Sequence, residues 1–146
     1  TALLPARMVR LLGIEPRVAM LSFSNFGAVD HALARKVRRA TELVKAGAPG
    51  LTVDGEMQLA TAVDDEIRKE FFAFSELDRN ANVLVFPDLQ SGNLAMHLLQ
   101  HVGEGLVVGP VLTGTRLPVQ LLQYGSSVQD VVNLAMLGAV QAAGMR

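Results

Sequence analysis

An α/β fold, a mostly parallel sheet flanked by helices, is predicted by three features of the sequence. Apolar runs of strand length alternate along the chain with amphipathic segments of helical period. The runs are apolar at successive positions rather than alternate ones, as in strands buried on both faces. Gly13, Gly47, Pro49 and Pro87 punctuate the joins between segments.

The elements follow in order. The residues up to Leu11 and Leu12 read as a helix stopped by Gly13, and Arg17 to Ser24 as the first strand. Asp30 is a candidate N-cap for a helix that carries Leu33, Val37, Ala40 and Val44 on one stripe and ends near Gly47. Leu51-Thr52-Val53 is a short strand, and one helix is expected over much of Gln58 to Phe72, with Ile67, Phe71 and Phe74 on one face. Asn82 to Phe86 is the clearest strand, followed by a helix with Ser91 as its cap and Leu94, Leu98 and Val102 along it. Gly105 to Leu112 and Leu117 to Leu122 read as two further strands, and Ser127 as the cap of a last helix burying Val128, Val131, Val132, Ala135 and Ala139.

Composition bounds the function. A chain of 146 residues, half of them apolar, suffices for one domain with its own core. Thirteen basic against fourteen acidic side chains give a net charge of -1, which argues against nucleic acid as a partner. The absence of cysteine excludes disulfides, thiolate metal sites and thiolate nucleophiles, and fits a cytosolic address. No apolar run approaches the roughly 20 residues of a membrane span, so no membrane partner is expected. The opening "TALLPARMVRLLG" lacks an initiating Met and a signal-peptide core and reads as the continuation of a longer chain.

Ligands of such sheets bind at the carboxyl ends of the strands. Three loops qualify by position: "SFSNFGAVD", "PDLQSGN" and "QYGSS". Each precedes a helix N-terminus, which favours a phosphate or carboxylate, and each also reads as an ordinary cap or tight turn. The candidate contacts are Ser22, Ser24, Asn25, Phe26 and Gly27, then Asp88, Ser91, Gly92 and Asn93, then Tyr124, Gly125 and Ser126, with Asp130 behind them. His97 and His101 have zinc-ligand spacing but no neighbouring glutamate or nearby third histidine, so no metal site is assigned. Arg35, Lys36, Arg38, Arg39 and Lys45 read as a solvated helix face, Asp64 to Glu66 as a helix first turn, and Asp54 and Glu56 in "VDGEMQ" as structural carboxylates at a sheet edge or subunit contact. Walker, GxGxxG and GxSxG fingerprints are missing.

The ordered set "VAMLSFSNFG", "VDGEMQ", "NANVLVFPDLQSGN", "GPVLTGTRLPVQLL" and "GSSVQDVVN" resembles the carboxyl-terminal half of the phosphate acetyltransferase and butyryltransferase family, from Arg17 onward. The resemblance implies one subdomain of a two-subdomain fold, with coenzyme A and acyl phosphate meeting in the cleft. It divides the chain into a leading helix and linker over 1–16, the subdomain over 17–122, and a final helix over 123–146 that returns to the other subdomain.

Active members usually read Leu-Ser-Arg-Gly where this chain has Leu122-Gln123-Tyr124-Gly125, and Ser-Thr-Lys-Gly where it has Ser24-Asn25-Phe26-Gly27. Asp130 matches the family's aspartate, while both cationic positions are lost; acyl transfer to phosphate depends on such charge. No residue of this chain is therefore assigned as catalytic. "LGIEPRVA" and "LSFSNFG" are similar to the transferase-like domain fused to bacterial NADP-dependent malic enzymes. This implies a sensor that binds acetyl-CoA as effector, in a homo-oligomer whose upstream malic enzyme domains bind NADP and a divalent metal and oxidise malate to pyruvate. An active transferase and a purely structural assembly module are the alternatives.

Overall fold

The computed structural model describes residues 2–103 and 105–144. The elements are α1 (Leu3–Leu11), β1 (Arg17–Leu21), α2 (Ala32–Gly47), β2 (Thr52–Met57), α3 (Leu59–Val63), α4 (Asp65–Phe71), β3 (Val83–Val85), α5 (Leu89–Val102) and α6 (Val128–Ala143). The three strands form a parallel sheet in the order β2-β1-β3. The central strand β1 is the reason for the double-sided burial expected from its sequence. Val18 and Met20 point into a cluster with Ala6, Val37, Val53 and Val83, on the side of α1 and α2. Ala19 and Leu21 point into the opposite cluster, with Met57, Ala62 and Leu77. Helices thus cover both faces, as the continuous apolar run requires.

Several boundaries differ from those predicted, each for a local reason. His31 rather than Asp30 caps α2, its Nδ1 accepting from the Leu33 N–H at 3.2 Å, while Asp30 pairs with Arg35. Leu33 is exposed and Thr41 is buried in its place, so the inward stripe is Ala34, Val37 and Thr41. The strand expected to end at Val53 runs on to Met57, because the carboxylates of Asp54 and Glu56 are paired inside the fold. The helix expected over 58–72 is split at Asp64, whose side chain accepts from Glu66 and Ile67 and caps α4. Phe71 and Phe74 are exposed, and the buried side chain of α4 is Arg68. Arg68 is 2% exposed, and its guanidinium donates to the carbonyls of Leu77 and Thr61 and to Asp65, fastening α3, α4 and the following loop together.

The two strands expected within 105–122 are absent; the segment holds one antiparallel bridge, Val111 to Gln120. Pro110 and Pro118 withhold N–H donors from any ladder there. Asp88, not Ser91, caps α5, and Leu94, Leu98 and Val102 are exposed, since no side chain of α5 is buried. Ser127 caps α6 as expected, within a capping box closed by Asp130. The buried side chains of α6 are Asn133, Leu134 and Gln141, whereas Val128, Val131, Val132, Ala135 and Ala139 are exposed. The inward edge of α6 is therefore partly polar; Gln141 receives a hydrogen bond from Gln120 and donates to the Met8 sulfur of α1.

The register between β1 and β2 is interrupted after the pairing of Met20 with Gly55. Gly55 has φ +138°, and a Cβ there would lie 2.5 Å from the Met20 carbonyl oxygen. Neither the conformation nor the space admits a side chain. Gly55→Ala is expected to destabilise the fold by at least about 2 kcal/mol, measured as a lower midpoint in urea denaturation.

Candidate functional site

The first strand-end loop is built around one buried carboxylate. The Glu56 side chain is 0% exposed and accepts from Arg38 Nε and Nη2, both at 2.9 Å, from the Gly27 N–H at 2.8 Å and from Ser24 Oγ at 3.3 Å. Its own carbonyl accepts from the Phe26 N–H at 2.8 Å. Burial by itself would raise the Glu56 pKa, but the hydrogen bonds from Arg38 and Gly27 outweigh it and hold the carboxyl below its ordinary 4.5. Ser24 is buried and also accepts from the Val29 N–H, while the Ser22 hydroxyl accepts from the Ser24 N–H. Asn25 Oδ1 accepts from Gln58 N–H at 2.7 Å and Thr61 Oγ1 at 3.0 Å, supporting the start of α3. The Phe26 ring lies against Phe72 and Phe74. Gly27 has φ +89°, and a Cβ would stand 3.3 Å from the Arg38 guanidinium.

The second loop follows β3, which pairs with β1, so the first two loops leave the same end of the sheet. Asp88 accepts from the Ser91 N–H at 2.8 Å, and the Ser91 hydroxyl donates to the Asp88 carbonyl. Those contacts with Ser91 hold the Asp88 carboxyl below the usual range. Gly92 lies over Phe86, and Asn93 is exposed on α5.

The third loop stands apart. Gln123, Tyr124, Gly125, Ser126 and Asp130 line a cavity of about 150 Å³ together with Gln100, Val107, Val108, Gly109, Asn133 and Leu134. None of the candidates from the first two loops lines it. Ser126 Oγ donates to the Gln123 carbonyl and accepts from the Gln123 N–H, and Gly125 turns the chain with φ +85°. Asp130 accepts from the Ser127 N–H at 2.7 Å and the Ser127 hydroxyl at 2.8 Å, which lowers its pKa. Tyr124 is fully exposed. Among the described residues the cavity wall contains the carboxylate of Asp130 and no Lys or Arg, and Arg116 is exposed and does not line it.

The basic side chains of α2 are engaged individually. Arg35 pairs with Asp30, Arg38 with Glu56, Arg39 with Glu42, Lys45 with Asp54 and Glu76, and Lys36 donates to the Pro87 carbonyl. The rings of His97 and His101 stack 6.4 Å apart, and among the described residues no three His, Asp or Glu side chains gather as metal ligands.

The profile of the phosphate acetyl/butaryl transferase family matches residues 1–139. The chain belongs to this family. A phosphate acetyltransferase of Thermoanaerobacterium thermosaccharolyticum is 45% identical over 132 residues, covering 90% of this chain and 40% of that protein. The NADP-dependent malic enzyme of Escherichia coli is 43% identical over 141 residues, covering 96% of this chain and 19% of that protein. The crystal structure of a phosphotransacetylase from Streptococcus pyogenes superposes with a TM-score of 0.92 at 38% identity, over 98% of this chain and 44% of that one. The chain thus spans about two fifths of the length of the transferases it matches and about a fifth of the malic enzyme.

Glu56, Arg38, Phe72, Phe74, Gln100 and Asn133 shape the loops or the cavity without having been singled out as ligand contacts. The only sequence signal for Glu56 is its place between Gly55 and Met57 just after the apolar Leu51-Thr52-Val53; the others are unremarkable in sequence. Because the folded pKa of Glu56 lies below its unfolded value, its contribution is complete above the ordinary carboxylate range and is lost as pH falls through the lower folded value. Glu56→Gln is expected to lower stability at neutral pH and to flatten the loss of stability on acidification below about pH 4.5. Thermal melts of both proteins between neutral pH and pH 3 check this, and equal acid slopes would contradict it.

Proposed function

We propose that this chain is a regulatory transferase-like domain of a malic enzyme, binding acetyl-CoA without transferring its acyl group. The observation that carries the reading is the charge at the third loop. Transfer between a thioester and phosphate requires cations around the acyl phosphate and the developing negative charge. Among the described residues the wall of the Gln123–Asp130 cavity offers a carboxylate and uncharged groups instead. Asp130, which matches the family's aspartate, is occupied by the Ser127 cap. At the first loop, the position where active members carry lysine holds Phe26, whose ring is packed on other phenylalanines.

A cavity of this size is smaller than the roughly 300 Å³ at which pockets for drug-sized ligands begin. It suits the thioester end of the coenzyme, with the remainder passing outward along the strand-end loops. The similarity to malic enzymes supports upstream malic enzyme domains as the catalytic partner. Nicotinamide, metal and malate chemistry belong to parts of such a protein other than this chain, and the effector acts by preferring one arrangement of the assembly, probed as a coupling free energy between sites. The coenzyme contacts are the sequence candidates at the three loops, and the acting unit is a cytoplasmic homo-oligomer.

In the full protein carrying this chain, acetyl-CoA is expected to bind and to change the rate of malate-dependent NADPH formation. No free coenzyme A thiol is expected when phosphate is added with acetyl-CoA. Thiol release at a rate typical of enzymes, of order 1 per second or faster, would establish a working transferase instead. Absence of binding at millimolar acetyl-CoA would leave assembly as the role of the domain.

A further inference from the structure

Helix α5 contains no Lys, Arg, Asp or Glu and buries no side chain, yet it holds two of the chain's three histidines. His97 and His101 stand one turn apart on the same face, and both are exposed. Spacing alone assigned no metal to them. The structure adds the ring geometry: the imidazole planes lie within 15° of parallel, with centroids 6.4 Å apart.

Two imidazoles that share one metal ion, each at a nitrogen–metal distance of about 2.0–2.1 Å, bring their centroids to roughly 5 Å. The observed pair is therefore about 1.5 Å from closure. Rotation about the side-chain torsions of two exposed residues covers that distance without moving the helix. The position along α5 favours the same kind of ion. His101 lies in the last turn, where carbonyls without intrahelical partners give the helix end a negative partial charge. A dication held between the two turns complements that charge, and no Lys or Arg of α5 opposes it.

We propose that His97 and His101 form a two-imidazole clamp for a late first-row transition-metal dication of the zinc, nickel and copper class. Imidazole suits these ions, whereas Mg²⁺ prefers oxygen donors. The clamp supplies two coordination positions and leaves the others to water, so the ion binds reversibly. Chelation across one turn requires the helical conformation, and the ion therefore stabilises ordered α5 by linkage. Gln100, on the same turn as His101, lines the cavity that also holds Tyr124 and Asp130, so a metal on this turn fixes one part of that wall. The inference is independent of the acetyl-CoA reading.

The test is hydrogen exchange along Leu89–Val102 in the full protein, with Zn²⁺, Ni²⁺ or Cu²⁺ titrated against a background of excess Mg²⁺ that fills oxygen-donor sites. Each added metal is expected to slow exchange in α5, with Cu²⁺ acting at a lower concentration than Zn²⁺ or Ni²⁺. His97→Gln and His101→Gln are exposed changes that leave the fold intact. Each is expected to raise the half-saturating concentration about tenfold or more, because a single imidazole cannot chelate. The paired change His101→Gln with Val102→His keeps two histidines on the helix but moves one off the shared face, and is expected to behave like the single variants. Equal half-saturation in wild type and variants overturns the clamp. So does a loss in only one single variant, which reports one ligand and not a pair. Exchange in α5 that none of the metals changes, including the case where the assembly already protects this helix, overturns it as well.

Discussion

The fold at its functional end depends on one buried carboxylate. Glu56 lies near the end of an edge strand of the sheet, yet its side chain is sealed from water and receives four hydrogen bonds from three residues on two segments. A buried, unpaired carboxylate would be strongly unfavourable, so these donors are conditions of burial and not additions to it. Because the donors come from Ser24 and Gly27 on the loop and Arg38 on α2, satisfying the charge fixes all three at once. The loop conformation, the ring of Phe26 and the seating of α2 on the sheet then follow from a single requirement.

The same logic separates what the sequence disclosed from what it concealed. The parallel sheet and its two helical layers were legible because β1 is apolar at every position from Val18 to Leu21, which only double-sided burial explains. The continuation of β2 through Asp54 and Glu56 was hidden, since two carboxylates look like a turn until Lys45, Ser75 and Arg38 are seen to meet them. Caps were legible as neighbourhoods but not as atoms: His31 took the place of Asp30, and Asp88 that of Ser91, because capping depends on side-chain reach that residue type alone does not give. Apolar content misled most in 105–122 and in α5 and α6, where apolar residues are exposed; hydrophobicity marks what seeks burial, not what among the described residues supplies it.

For the candidate site, the three loops were found and their internal wiring was not. Most polar groups of the first loop are consumed by neighbours, and Asp130 is turned into the cap of α6, so matching residue types to a family pattern overstates how many remain available to a ligand. The first two loops share the end of the sheet, while the third lines a separate cavity beside α6.

Helix α5 has fourteen residues and no buried side chain. A helix of that length is marginal in water by itself, and its Asp88 cap contributes only about 1 kcal/mol to typical helices. Its amide protons must therefore exchange with solvent through local opening at a far smaller free energy than those of β1, which is walled by two cores. Hydrogen-exchange protection along Leu89–Val102 is thus a direct gauge of how far order in α5 outlasts that of an isolated helix.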